Sequence, residues 1–209
     1  NSHVGALILK GTTLEPRLGN APHRVTETPS GMLNSIGLQN PGAQEVVGTI
    51  LPKLEPLQTH YIANVSGSTV EEYVEVCSMF DDSLVAAIEL NISCPNVKKG
   101  GIEFGVNEDI IYQLTSKLRK ITKKLLIIKL TPNVTSIEKI AQSAENGGAD
   151  AISAVNTFLG MAIDYKSGNM SLSTKFGGVS GPAIKPLAIA KVHKIYNVIK
   201  IPIIGMGGI

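Results

Sequence analysis

The 209-residue sequence predicts an α/β fold, a (β/α)8 TIM barrel of which about six strands, 2 to 7, are present. Three observations predict it. Apolar runs alternate with helical patterns, the array of a barrel or of a doubly wound sheet. The runs are continuous rather than alternating, as in parallel strands buried on both faces. Every run also delivers a polar residue or a glycine at its carboxyl end. A barrel brings all such ends to one mouth, whereas a doubly wound sheet uses mainly those at its switch point. No GxGxxG follows the first run, which weakens the doubly wound option further.

The elements follow in order. GALIL (residues 5–9) is the first strand and ends at Lys10. HYIANV (60–65) is the second and contains Asn64. Thr69 and Glu72 have capping-box spacing for the next helix. That helix carries Cys77 among Val74, Val76 and Met79, which reads as a small buried hydrophobe. VAAIEL (85–90) is the third strand and runs into NISCPN (91–96), where Pro95 breaks the chain. Asn107 caps a helix whose apolar face is Ile110, Leu114, Leu118 and Ile121. The basic run KLRKITKK (117–124) falls at its end, where positive charge complements the helix dipole. LLIIKL (125–130) contains Lys129. Thr135 and Glu138 have capping-box spacing for another helix. AISAV (151–155) ends at Asn156 and Thr157, a helix is expected over residues 184–198, and IPIIG (201–205) runs into the glycines of GMGG.

Two connections, residues 11–42 and 157–182, are rich in Gly, Pro, Ser, Asn and Thr. Both follow strand ends, and both are read as lids over one site. Six strands stand where a closed barrel has eight. Residues 1–209 are therefore expected to form a single barrel domain lacking the first and last β/α units.

Composition narrows the function classes. The net charge of +2 is too small to imply nucleic acid or an acidic membrane surface. No apolar run reaches the roughly 20 residues that span a bilayer. Cys77 and Cys94 are far apart and form no CxxC, which fits a reducing cytoplasm. Two cysteines do not ligate an iron–sulfur cluster, and the four histidines are scattered, so no metal site is expected.

Cys94 sits in a strand-end loop between two amides, where a thiol can act as a nucleophile or a general base. Lys129 lies between Ile128 and Leu130, and a lysine there is costly to bury unless it meets an anion. Lys10 ends the first strand. Asn34, Asn64, Asn91, Asn96 and Asn156 form a set of amides suited to a flat ligand that donates and accepts, such as a pyrimidine or a flavin edge. Gly205 to Gly208 follow a late strand, the usual place of a barrel's phosphate site, and GGVSGP (177–182) offers further backbone contacts. These residues leave open a Schiff-base aldolase using Lys129, another FMN barrel acting on a uracil-like base, and a truncated non-catalytic binding module.

NISCPN, SGMLNSIGLQNPG, IIKLTPNV, VNTFLGMAID, GGVSGPAIKP and IPIIGMGG, in this order, resemble the class 1 dihydroorotate dehydrogenases. The details are most like the NAD-linked 1B catalytic subunit; the membrane-bound, quinone-linked type has serine where Cys94 stands. The resemblance implies an FMN-containing TIM barrel that oxidises dihydroorotate to orotate in pyrimidine biosynthesis. It implies Cys94 as the base that removes the C5 proton and Lys129 as the cation that stabilises the reduced flavin. It implies FMN contacts from Lys10, Gly11, Asn64, Asn91, Lys129, Val155, Gly181, Gly207 and Gly208. Substrate contacts fall on Lys10, Asn34, Ser35, Ile36, Gly37, Leu38, Asn91, Asn96, Asn156 and Thr157. It further implies a homodimer, and an electron-transfer partner subunit that carries FAD and a [2Fe–2S] cluster.

Overall fold

The computed structural model describes residues 4–56, 59–93 and 104–209. In chain order, strand β1 (Ala6–Ile8) is followed by a hairpin, β2 (Val25–Thr28) and β3 (Gly31–Asn34). Short helical pieces α1 (Ala43–Glu45) and α2 (Leu51–Leu54) are joined by wide turns over Val46–Ile50. The β/α unit then repeats through β4 (His60–Val65), α3 (Val70–Asp81), β5 (Ala87–Asn91), α4 (Glu108–Arg119), β6 (Leu125–Leu130), α5 (Ile137–Asn146) and β7 (Ala151–Ala154). A second hairpin, β8 (Phe158–Met161) and β9 (Phe176–Ser180), precedes α6 (Lys185–Tyr196) and β10 (Ile203–Gly205).

Six strands form one parallel sheet in the order β1-β4-β5-β6-β7-β10. Each sheet strand therefore lies beside the one that precedes it in the chain. The order never reverses, so there is no switch point of the doubly wound kind. This is the wall of a partial TIM barrel. The four inner strands, β4 to β7, are largely buried because both faces are covered, while β1 and β10 are not. Ile88, Leu90, Leu126, Ile128, Ile152 and Ala154 are at most 1% exposed, and burying such a side chain contributes about 1.5–3 kcal/mol each for the larger ones. The cover comes from Tyr73, Val76 and Phe80 of α3, Ile111, Leu114 and Leu118 of α4, and Ile137, Ile140 and Ala144 of α5. Cys77 is buried among them as expected. Burial, and secondarily the charge of Asp81, pushes its thiol up to about 12. Among the described residues no helix is long and apolar enough to cross a membrane.

The caps show how local sequence sets helix starts. Thr69 Oγ1 accepts from the Glu72 N–H at 3.1 Å, and Asn107 Oδ1 accepts from the Ile110 N–H at 3.1 Å. The Thr135 box does not form. The cap is Ser136, and it makes no side-chain bond to the helix backbone. Instead the Glu138 carboxylate accepts from its own backbone N–H and from the Ser136 hydroxyl, which holds it below the usual range. The basic run is structural in part. Arg119 bridges Asp150 at 2.6 Å and donates to the carbonyls of Thr122 and Lys124, while Lys124 Nζ donates to those of Ser83 and Val85.

The two long connections differ from the lid expectation. Their strands pair with one another into a four-stranded antiparallel sheet, β2-β3-β9-β8. The joining ladder pairs Met32 with Ser180, Leu33 with Val179 and Asn34 with Gly178. The sheet forms because VTET and GMLN flank a Pro29-Ser30 turn, and because β9 is glycine-rich. At Gly178 an added Cβ would lie 2.1 Å from the Thr157 hydroxyl oxygen, so only glycine lets β9 approach so closely.

Candidate active site

Four neighbouring strands place one polar side chain each in a connected cluster. Glu89 of β5 is fully buried, at 0% exposure. Its Oε1 accepts from Asn64 Nδ2 of β4 at 2.5 Å, and its Oε2 accepts from the Ser153 hydroxyl of β7 at 2.6 Å. Lys129 of β6 brings Nζ to 3.8 Å from Oε1. The register aligns them, with Asn64 beside Glu89 and Lys129 beside Ser153. Lys129 meets the anion that its burial requires, and its side chain keeps one fifth of its surface open.

Amides occupy the strand ends. Lys129 pairs in register with Asn91, the last residue of β5. Asn91 Oδ1 accepts from Asn156 Nδ2 at 3.1 Å and from the Ser93 N–H at 3.3 Å. The Tyr73 hydroxyl donates to the Asn91 carbonyl at 2.7 Å, which pins the end of the strand to α3. Asn156 Oδ1 in turn accepts from the Thr157 N–H at 2.8 Å. The pair is thus held by its neighbours in one orientation, as recognition of a flat polar ligand requires.

The first connection reaches the same end of the barrel. Asn34, at the end of β3, donates to the Gly178 carbonyl at 3.4 Å. Residues 35–38 continue from it and turn back, with Gly37 at φ 78° and Leu38 at φ 55°. A leucine in the left-handed region is uncommon, and such residues gather at functional sites. Asn40 holds the turn. Its Nδ2 donates to the Leu38 carbonyl, and its Oδ1 accepts from the N–H groups of Thr13 and Gly42. Leu38 and Asn64 both border Gly11, where an added Cβ would lie 2.8 Å from Asn64 Oδ1 and 3.8 Å from Leu38. Lys10 is exposed at the end of β1.

The glycines assemble at the other side. The Val155 N–H donates to the Met206 carbonyl and the Met206 N–H to that of Ala154, joining the ends of β7 and β10. Gly207 and Gly208 follow with φ 122° and 77°. An added Cβ at Gly208 would lie 2.7 Å from the Lys185 nitrogen and 2.9 Å from the Gly181 carbonyl oxygen. Gly181 and Gly208 therefore meet at the amino end of α6, the kind of place that attracts phosphate.

Cys94 and Asn96 lie outside the described residues. Of the remaining residues singled out in the sequence, Asn64, Asn91, Lys129 and Asn156 gather in one connected group, and Asn34 to Leu38 with Gly11 form its border. Sequence reasoning passed over Glu89, Ser153, Tyr73 and Asn40. For Glu89 there was a signal, a single carboxylate inside the apolar run VAAIEL. Ser153 carried a weaker form of the same signal, a hydroxyl inside the apolar run AISAV, and for Tyr73 and Asn40 there was none, since such residues are ordinary at helix faces and turns.

A model of the dihydroorotate dehydrogenase family matches residues 1–209. Dihydroorotate dehydrogenase B (NAD(+)), catalytic subunit, of Bacillus cytotoxicus is 52% identical over 207 residues, which cover 99% of this chain and 67% of that protein. The protein of the same name from Listeria welshimeri is 52% identical over 99% of this chain and 68% of its own length. That of Geobacillus sp. strain WCH70 is 51% identical over the whole chain and 67% of its own length. The chain thus spans about two thirds of the length of these relatives.

Proposed function

We propose that this chain, which belongs to the dihydroorotate dehydrogenase family, oxidises (S)-dihydroorotate to orotate in pyrimidine biosynthesis, as the catalytic subunit of an NAD-linked enzyme. The observation that carries the reading is the position of Lys129, at a barrel strand end beside the Asn91–Asn156 pair, in a chain half identical to proteins of that name. The family assignment displaces the aldolase and the non-catalytic module.

The residues present fit FMN. Ser35, Ser66 and Ser93 bury hydroxyl oxygens that have no hydrogen-bond partner among the described residues, as expected of groups that meet a polar ligand. Lys129, Asn64, Asn91, Lys10 and Gly11 would hold its ring, and Val155, Gly181, Gly207 and Gly208 its ribityl phosphate. When bound, FMN supplies the acceptor for the C6 hydride at its N5 atom. Asn91, Asn96, Asn156, Thr157 and Lys10, with Asn34 to Leu38, hold the substrate's amide and carboxylate edges. Cys94 Sγ takes the C5 proton, and the electron pair of that C–H bond becomes part of the new C5=C6 bond. The Lys129 ammonium stabilises the negative charge that develops beside it, an electrostatic contribution that is worth most where water is excluded. The chain works in the reducing cytoplasm as a homodimer, and electrons leave through a partner subunit carrying FAD and a [2Fe–2S] cluster.

The test is direct. The purified protein should take up FMN and turn yellow, and anaerobic dihydroorotate should bleach it while orotate appears. A folded protein with no affinity for FMN, or one that turns over dihydrouracil equally well, refutes the reading.

A further inference from the structure

Glu89 has no part in the chemistry above, yet it has more side-chain partners than any other residue of the cluster. A carboxylate withdrawn from water is costly unless its oxygens find donors and its charge finds a counter-charge. Here both oxygens accept hydrogen bonds and an ammonium stands 3.8 Å away. Stability does not require any of this, since well-packed hydrophobes in place of a buried ion pair are often neutral or stabilising. The carboxylate therefore serves the groups around it.

We propose that Glu89 is the positioning residue of this site: its carboxylate holds the Lys129 ammonium and the Asn64 amide in the orientation in which they meet the flavin. The inference rests on the reading of Lys129 and Asn64 as FMN contacts. Two features of the geometry specify it. At 3.8 Å, Glu89 attracts Lys129 without accepting a hydrogen bond from it, so the ammonium protons remain available to a ligand. Asn64 spends an N–H on Glu89, while its Oδ1 faces the Gly11 position at the end of β1. Glu89 thus decides which end of that amide is offered: the carbonyl, an acceptor for a ligand N–H or O–H. The carboxylate also offsets part of the positive field of Lys129, so neutralising it leaves a more positive site that favours the reduced, more negative ring.

Glu89→Gln keeps the shape and removes the charge. Three quantities read the effect: FMN dissociation constant, flavin reduction potential, and melting temperature of the flavin-free protein. They are compared in wild type, Glu89→Gln, Lys129→Gln and the double variant. The expected result for Glu89→Gln is FMN binding weaker by roughly tenfold, the worth of one charge-assisted contact, and a more positive potential, with melting close to wild type. The loss of FMN affinity should shrink in the Lys129→Gln background, whereas the potential shift, which follows from the carboxylate's own charge, should persist there. Wild-type affinity and potential in Glu89→Gln overturn the proposal, as does an equal loss of affinity in both backgrounds. If Glu89→Gln does not fold, Glu89→Asp retains the charge but draws it back by one methylene. That variant should weaken FMN binding with little change in potential, and unchanged binding overturns the proposal. A wild-type protein that takes up no FMN fails the reading of the whole site. One that loads normally beside an indistinguishable Glu89→Gln fails this inference alone.

Discussion

Of the two cysteines, Cys77 is a buried side chain, and Cys94, outside the described residues, is the proposed base. Cys77 sits at 0% exposure on the buried face of α3, and its thiol is pushed from the ordinary 9.0 up to about 12. It should remain unlabelled by iodoacetamide at pH 8 in the folded protein and react only on unfolding, as peptide mass spectrometry will show. The same shift has a consequence for stability. In the unfolded chain the thiol loses its proton near pH 9, whereas the folded protein retains it to about 12. The folded state then binds more protons, so stability falls as pH rises through that window. Cys94 belongs to the proposed chemistry. Cys94→Ser should slow flavin reduction at pH 7 by roughly 10²–10⁴-fold, the usual contribution of a general base. The slowing follows from the hydroxyl's much higher pKa, and the rate should recover as pH rises and the hydroxyl can lose its own proton. A stopped-flow rate equal to wild type at pH 7 would remove Cys94 from that role.

At the scale of elements, start signals were legible where a side chain could reach a backbone N–H without competition. Thr69 and Asn107 do so. Thr135 does not, because the helix starts one residue later, with Ser136 at the cap position. Thr69→Ala should therefore lower stability by about 1 kcal/mol, and Thr135→Ala should lower it by less than half of that, both read from urea unfolding. The strand runs were also legible. His60–Val65 and Leu125–Leu130 have the bounds their apolar runs predict, and β1 and β10 are shorter than theirs because they lie at the edges of the sheet. The hairpin strands were not, because short polar alternation beside glycine and proline reads as loop composition until a partner is known.

For the whole molecule, two connections far apart in sequence close into one sheet beside the site. Asn34 and Gly178 are 144 residues apart and still share a hydrogen bond. At Gly31 an added Cβ would lie 2.1 Å from the Ser180 carbonyl oxygen, so Gly31→Ala must push β3 from the start of the Gly181 turn. The melting temperature should fall, by about 2–4 °C for each kcal/mol lost. The KM for dihydroorotate should rise through displacement of Asn34, and FMN content should hold. Unchanged KM would separate this sheet from substrate binding. The sequence by itself determined the parallel barrel wall, because strands buried on both faces must be apolar throughout. It also determined the strand-end residues Asn64, Asn91, Lys129 and Asn156, because polar groups stand out against such runs. Only the tertiary structure decided that Glu89 joins Asn64, Lys129 and Ser153, and that the two long connections pair as strands. Both depend on contacts between distant segments, and a hydrogen bond between strands has no counterpart in the residues on either side of it.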